Sequence, residues 1–182
     1  MKKATAILLS VLPAAAILGG CAMNGFENED DRMFGERKPA EFINSDGDAV
    51  GSAVLTQTPN GVLVDVELRD LKPGWHGFHV HEKGNCMPPD FKAAGGHFNP
   101  DGNEHGVLMQ GGPHAGDMPN IFVDADGTAR FQVITTDLSF GSGGNTVTDT
   151  DGAALMVHSD PDDYRSQPSG DAGSRIACAE IN

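Results

Sequence analysis

Positive charge is scarce in this chain. Twelve Lys and Arg face 26 Asp and Glu in 182 residues, a formal net charge of −14 at pH 7 with histidine neutral. That balance excludes nucleic acid as a partner, because such binding draws its affinity from neutralised phosphates. Long apolar runs are also missing. The one extended run covers the fifteen residues from Ala4 to Leu18 and is interrupted by Pro13; a membrane-spanning helix needs about twenty. No segment carries a helical apolar stripe and no internal repeat is apparent, so neither a helical fold nor a solenoid is indicated. Cysteines number three, Cys21, Cys86 and Cys178, too few for a four-thiolate site.

The chain opens with Met1-Lys2-Lys3, a basic lead into the apolar run. This is the pattern of a secretory signal peptide, placed at residues 1–20. The run ends Leu18-Gly19-Gly20-Cys21, which resembles the lipobox of bacterial lipoproteins, where cleavage leaves the cysteine as a lipidated N-terminus. The alternative is a plain signal with an incidental cysteine. The implied product is exported, lipid-anchored through Cys21 to a bacterial membrane, and faces the periplasm or the cell exterior. Without Lys2 and Lys3, ten basic residues face the 26 acidic ones, a net of −16. Residues 21–38 are polar, acidic and aperiodic, and read as a lipidated tether. Cys86 and Cys178 then remain. In an oxidising compartment they would pair, with two buried free thiols as the alternative.

Residues 39–182 alternate short strand patterns with turn signals. In "VLVDVELR" Val62, Val64, Val66 and Leu68 share one face while Asp65, Glu67 and Arg69 share the other, with Leu63 as the exception. "IFVDADGTARFQV" reads as two strands in a hairpin about Gly127, with Phe131 and Val133 inward. Further strands are expected near Ala40–Ile43, Ser52–Gln57, Trp75–Glu82, Ala153–His158 and Arg175–Ile181. The fold class is therefore all-β, a sandwich or barrel. Two segments do not fit as strands. One spans Gly84 to Asp117 and holds eight glycines and four prolines; the other is polar and spans Ser159 to Ser174. The first is too long and too poor in apolar residues to order itself, so metal, disulfide or both must order it.

Histidine is where the chemistry gathers. Three of the seven lie in "GWHGFHVH", residues 74–81. Strand alternation puts His79 and His81 on one face and His76 on the other, so two imidazoles can converge on one ion. The long loop adds His97, His105, His114 and Asp117 at spacings of eight, nine and three residues. These suit a loop wrapped about an ion, and three nitrogens with one carboxylate oxygen suit zinc. His158 ends the apolar strand "AALMVH" and can complete an all-imidazole set suited to copper.

The motifs "GFHVHEKGNC", "GGHFNPDGNEHG", "GGPHAGD", "MVHSDPDD" and "GDAGSRIAC" resemble, in order, those of the copper/zinc superoxide dismutases, from about Lys38 to the C-terminus. The resemblance implies an eight-stranded antiparallel Greek-key β-barrel or sandwich with two long functional loops. It implies one copper and one zinc ion per subunit. Copper would be held by His79, His81, His97 and His158, and zinc by His97, His105, His114 and Asp117. His97 would be the imidazolate shared by both. Asp162 would accept hydrogen bonds from one copper and one zinc histidine, and His76 would support the copper site without binding it. Arg175 would attract and orient superoxide, and Cys86 would bond Cys178. The implied reaction turns two superoxide radicals and two protons into dioxygen and hydrogen peroxide, with Arg175 and His97 as its catalytic residues. The family contains monomers and homodimers, and the resemblance leaves that choice open. The segment Ser159–Ser174 is shorter than the charged guiding loop of many members and has no clear match to the lysine that steers substrate in animal enzymes. Arg165, Lys83 or Lys92 is expected to substitute. The competing function is a non-catalytic copper- and zinc-binding lipoprotein.

Overall fold

Val62, Val64 and Val66 are fully buried and Leu68 nearly so, while Glu67 is exposed and Leu63 and Asp65 are half-buried. The alternation thus marks which side of the sheet is the core. The computed structural model describes residues 35–182. The expected signal peptide, Cys21 and most of the tether lie outside the described residues. Nine strands are present among them: β1 (Arg37–Asn44), β2 (Ala49–Thr58), β3 (Gly61–Leu68), β4 (Gly74–His76), β5 (Phe78–His81), β6 (Ile121–Val123), β7 (Ala129–Thr135), β8 (Ala153–His158) and β9 (Arg175–Ile181). A single 3-10 turn, Lys92–Ala94, is the only helical element among these residues. β1 begins two residues ahead of the expected boundary at residue 39.

Seven strands form one antiparallel sheet in the order β5-β8-β9-β1-β2-β3-β7, and β4 pairs with β6 in a separate ribbon. The chain runs from β4 into β5 with only Gly77 between them, and β6 leads into β7. The ribbon therefore links the two edge strands of the large sheet and curls it into a barrel. Counting β4 and β5 as one interrupted strand gives eight. Two connections, β3 to β4 and β7 to β8, jump over spatial neighbours, as in a Greek key. Among the described residues, closure leaves no long bare edge to pair with other chains.

Two expectations are corrected here. The run Trp75–Glu82 is not one strand, because Gly77 donates its N–H to Asp160 O (2.9 Å) and accepts one from His158 (2.9 Å). It therefore bonds to the end of β8 and the loop beyond it while β4 pairs with β6. The hairpin about Gly127 has its turn, with Asp124 N–H donating to Thr128 O at 2.8 Å. Its two strands nevertheless belong to different sheets, since β6 prefers β4 and β7 prefers β3.

The main core holds Phe42, Leu55, Phe78, Val80, Leu155 and Val157 among others. A second apolar cluster sits on the other side of β8. It joins Phe91 and Ala94 of the long loop to Ala154, Met156, Cys86 and Cys178. β8 is buried on both faces as a result, which is why its sequence is apolar without alternation.

Candidate metal centre

β5 sends Phe78 and Val80 into the core and turns His79 and His81 away from it. Such a face would ordinarily be wet. Here the loop folds back over it. Val80 N–H donates to Gly116 O (2.8 Å), Phe98 N–H to Val80 O (2.8 Å) and Gly116 N–H to Phe98 O (2.9 Å). These bonds set His79 opposite Asp117 and His81 opposite His97. The crossing requires glycine at 116, where a Cβ would lie 2.4 Å from Val80 O. His79 and His81 end up 0% and 1% exposed. From the neighbouring strand, a register shift after Val157 brings His158 opposite Arg175 of β9. A bulge of this kind re-aims side chains at the end of a strand.

Two groups of donor atoms result. Those of His79, His81, His97 and His158 lie within 4.8 Å of one another, as do those of His97, His105, His114 and Asp117. His97 belongs to both. The outer atoms of these rings are engaged. His81 Nδ1–H donates to Gly95 O (3.0 Å), His79 Nε2–H to Asp162 Oδ2 (2.8 Å) and His105 Nε2–H to Asp162 Oδ1 (3.0 Å). One carboxylate thus ties a ring of each group. The other two aspartates of the "SDPDD" motif, Asp160 and Asp163, are both exposed. Asp117 lies 2.8 Å from His97 Nδ1 and 3.1 Å from His105 Nδ1 through Oδ1, and its Oδ2 accepts the backbone N–H of Gly106 (2.8 Å) and His114 (3.0 Å).

The inward atoms are another matter. His79 Nδ1, His97 Nε2 and His114 Nδ1 are buried without a hydrogen-bond partner. Each such nitrogen costs about 1–3 kcal/mol, and all three belong to the two donor groups. Coordination to cations offsets that cost. Four imidazoles fit copper, and three imidazoles with a carboxylate fit zinc.

Burial favours the uncharged form of His79, His81 and His158. It lowers His79 to about 4, with the neighbouring His97 adding to the effect and the Asp162 hydrogen bond opposing it. It lowers His158 to about 3, with His79, His97 and the Arg175 charge in the same direction. His81 is held well below the ordinary histidine range by burial, His97 and Arg175. Neutral imidazole is the form that offers a lone pair. His105 differs: burial lowers it, but hydrogen bonds to Asp117 and Asp162 outweigh burial and raise it to about 9. Asp117 and Asp162 are held below the usual carboxylate range, because the histidine hydrogen bonds outweigh a burial that would raise them.

Arg175 donates Nη1–H to Phe91 O and Nη2–H to Gly95 O, both at 2.6 Å, and so straps down the Lys92–Ala94 turn. His76 stands apart from both donor groups. Its ring nitrogens lie 2.7 Å from His158 O and 2.7 Å from Lys72 O. Cys86 and Cys178 form a disulfide with Cα atoms 5.6 Å apart. Cys86 N–H is further held by Glu180 Oε1 (2.8 Å). Sequence reasoning passed over Gly116, Asn120 and Glu180. Asn120 donates to Asp162 O and accepts from Asp162 N–H, both at 2.8 Å. Gly116 and Asn120 are of types common in loops and Glu180 is an ordinary polar residue of β9, so spacing alone offered no signal for them.

Comparison with known proteins agrees with this geometry. The family model for copper/zinc superoxide dismutase (SODC) matches residues 49–181. "Superoxide dismutase [Cu-Zn] 2" of Aquifex aeolicus is 49% identical over 144 residues, 78% of this chain and 84% of that one. "Superoxide dismutase [Cu-Zn]" of Caulobacter vibrioides is 45% identical over 139 residues, 75% of this chain and 80% of that one. The crystal structure of a SOD-like protein from Bacillus subtilis superposes with a TM-score of 0.77 at 38% identity, covering 82% of this chain and 99% of that one. With two histidine-rich donor groups sharing one ring on a closed β-barrel, and with these relatives, the chain belongs to the copper/zinc superoxide dismutase family.

Proposed function

We propose that this chain dismutates superoxide with copper held by His79, His81, His97 and His158 and zinc held by His97, His105, His114 and Asp117. The observation that carries the assignment is the pair of donor groups meeting at His97, with unpaired buried nitrogens in each. Copper, when bound, supplies the one-electron redox cycle by which two superoxide radicals become dioxygen and hydrogen peroxide. The protein's residues do the rest. His97 Nε2 is the atom placed to hold a proton between half-reactions, while Asp117 near its Nδ1 (2.8 Å) keeps the ring in register. Asp162 fixes the orientation of His79 and His105 together, so neither ring can turn without loosening the other. Two of the five N–H groups of Arg175 are spent on carbonyls; the remainder are free to meet an anion.

His158→Ala is the deciding variant. It should remove copper and turnover while sparing zinc, read by metal content alongside superoxide consumption. Wild-type protein that holds stoichiometric copper with negligible turnover would instead favour the non-catalytic binding protein. The exported, lipid-anchored location follows from Leu18-Gly19-Gly20-Cys21 behind a fifteen-residue apolar run. The Cys86–Cys178 bond supports it, since disulfides persist in oxidising compartments. Labelling with a radioactive fatty acid should mark the wild-type chain and miss Cys21→Ser, which should leave the membrane fraction. Self-association as a homodimer would draw on the exposed Trp75 and Phe122, stacked edge-on at 5.1 Å across the β4–β6 ribbon; sedimentation velocity decides it.

A further inference from the structure

We infer that Gln167 is a positioning residue for the zinc-side group, acting on His105 through its backbone; this rests on the zinc assignment made above. His105 is fully buried and lies in a stretch of the long loop without regular structure. Its own loop therefore offers it no ladder of hydrogen bonds. The side-chain amide of Gln167 takes the place of a partner strand. His105 N–H donates to Gln167 Oε1 (2.8 Å), and Gln167 Nε2–H donates to His105 O (2.9 Å). A second Nε2 hydrogen reaches Arg165 O at 3.0 Å and pins the amide to its own turn.

The same device recurs at the other end of one critical bond. Asn120 makes a reciprocal pair with the backbone of Asp162, at 2.8 Å in each direction. Between the two clamped backbones runs the 3.0 Å hydrogen bond from His105 Nε2 to Asp162 Oδ1. Two primary amides thus hold the two ends of a single side-chain contact. The turn that carries Gln167 also seats itself on that contact. Gly170 has φ +68, and a Cβ there would stand 1.8 Å from Asp162 Oδ1 and 2.7 Å from His105 Nε2. The segment 166–170 is consequently a cover for the zinc-side ligand, fastened by Gln167 and able to close only because residue 170 lacks a side chain. His105 takes its backbone restraint from this second loop and its ring restraint from the carboxylate of that same loop. Gln167 itself is exposed, so its replacement removes a latch without opening the core.

The test compares metal-loaded wild type with Gln167→Ala, Gln167→Glu and Gln110→Ala. Gln110 is exposed on the same loop as His105 and serves as the control. Two quantities are read: the rate of zinc transfer to a chromophoric chelator, and the visible bands of protein carrying cobalt(II) in place of zinc. Gln167→Ala should release zinc about tenfold faster, the low end of what loss of a ligand-orienting group costs. Its cobalt bands should shift and its copper should be retained. Gln167→Glu keeps the acceptor for His105 N–H but cannot donate to His105 O, and should move the same way; Gln110→Ala should match wild type. Zinc release within twofold of wild type with unshifted cobalt bands in a folded Gln167 variant overturns the inference. So does equal loss of copper and zinc, which would mean general loosening. If Gln167→Ala does not accumulate, Gln167→Glu decides alone by these criteria. Failure of the underlying zinc assignment would look different: wild type would take up no cobalt, or Asp117→Ala would retain it, and either result removes both readings.

Discussion

Arg175 shows how much a single side chain can be asked to do. Its guanidinium spans two carbonyls, those of Phe91 and Gly95, while its charge adds to the burial that lowers His81 and His158. Lysine at this position keeps the charge, but a compact ammonium on a flexible stem cannot match the fork. One charge-assisted hydrogen bond is worth about 1.5–3 kcal/mol. Arg175→Lys should therefore lower kcat/KM roughly ten- to a hundredfold, with copper and zinc contents unchanged by metal analysis. At this scale the sequence was legible wherever chemistry is rare. Seven histidines in 182 residues leave few ways to be wrong about which ones matter. Asn120, Gln167 and Gly170 were not legible, because amides and glycines fill every loop. What distinguishes them is what they face, the backbone of Asp162 and His105 for the two amides and the Asp162 and His105 side chains for Gly170, which no spacing encodes.

At the scale of elements, the bounds of β8 and β9 follow directly from apolar runs that end at His158 and begin at Arg175. The break at Gly77 does not. The pattern of side chains continues through it, and the cause of the break is a pair of hydrogen bonds to residues about eighty positions away. The Gly127 turn was readable for the converse reason: its hydrogen bonds are local, whereas the partners of the strands it joins are not. The long loop is the element with most to lose. The disulfide closes a separation of 92 residues and sits in the apolar cluster beneath Phe91. Its removal by Cys86→Ser should cost about 4–5 kcal/mol on the loop-entropy account, itself model-dependent. It should also slacken the carbonyls that hold Arg175. Chemical denaturation should show the stability loss, and turnover per copper should fall well below the wild-type value even where the variant is fully folded.

For the molecule as a whole, charge sets the problem. A chain of net −14 attracts an anion only through a local field at the mouth of the site. Lys92 is the best-placed additional cation. It lies on the turn that Arg175 straps down, its side chain is 82% exposed, and Asp90 at 2.7 Å partly offsets it. Lys83 and Arg165 are also exposed. Removing all three cations should lower the rate at low ionic strength and flatten its dependence on salt, since screening acts on exposed charges within about a Debye length. A rate and salt profile unchanged from wild type would mean that Arg175 steers alone.

The carbonyl of Gly95 accepts from both Arg175 Nη2 and His81 Nδ1. A lone oxygen is therefore the hinge pin between the group proposed to greet the incoming anion and a ring proposed to grip the redox ion. Were an anion to draw the guanidinium away, the imidazole would be left the stronger claim on that oxygen. A substitution that shifts either donor therefore changes the surroundings of the other.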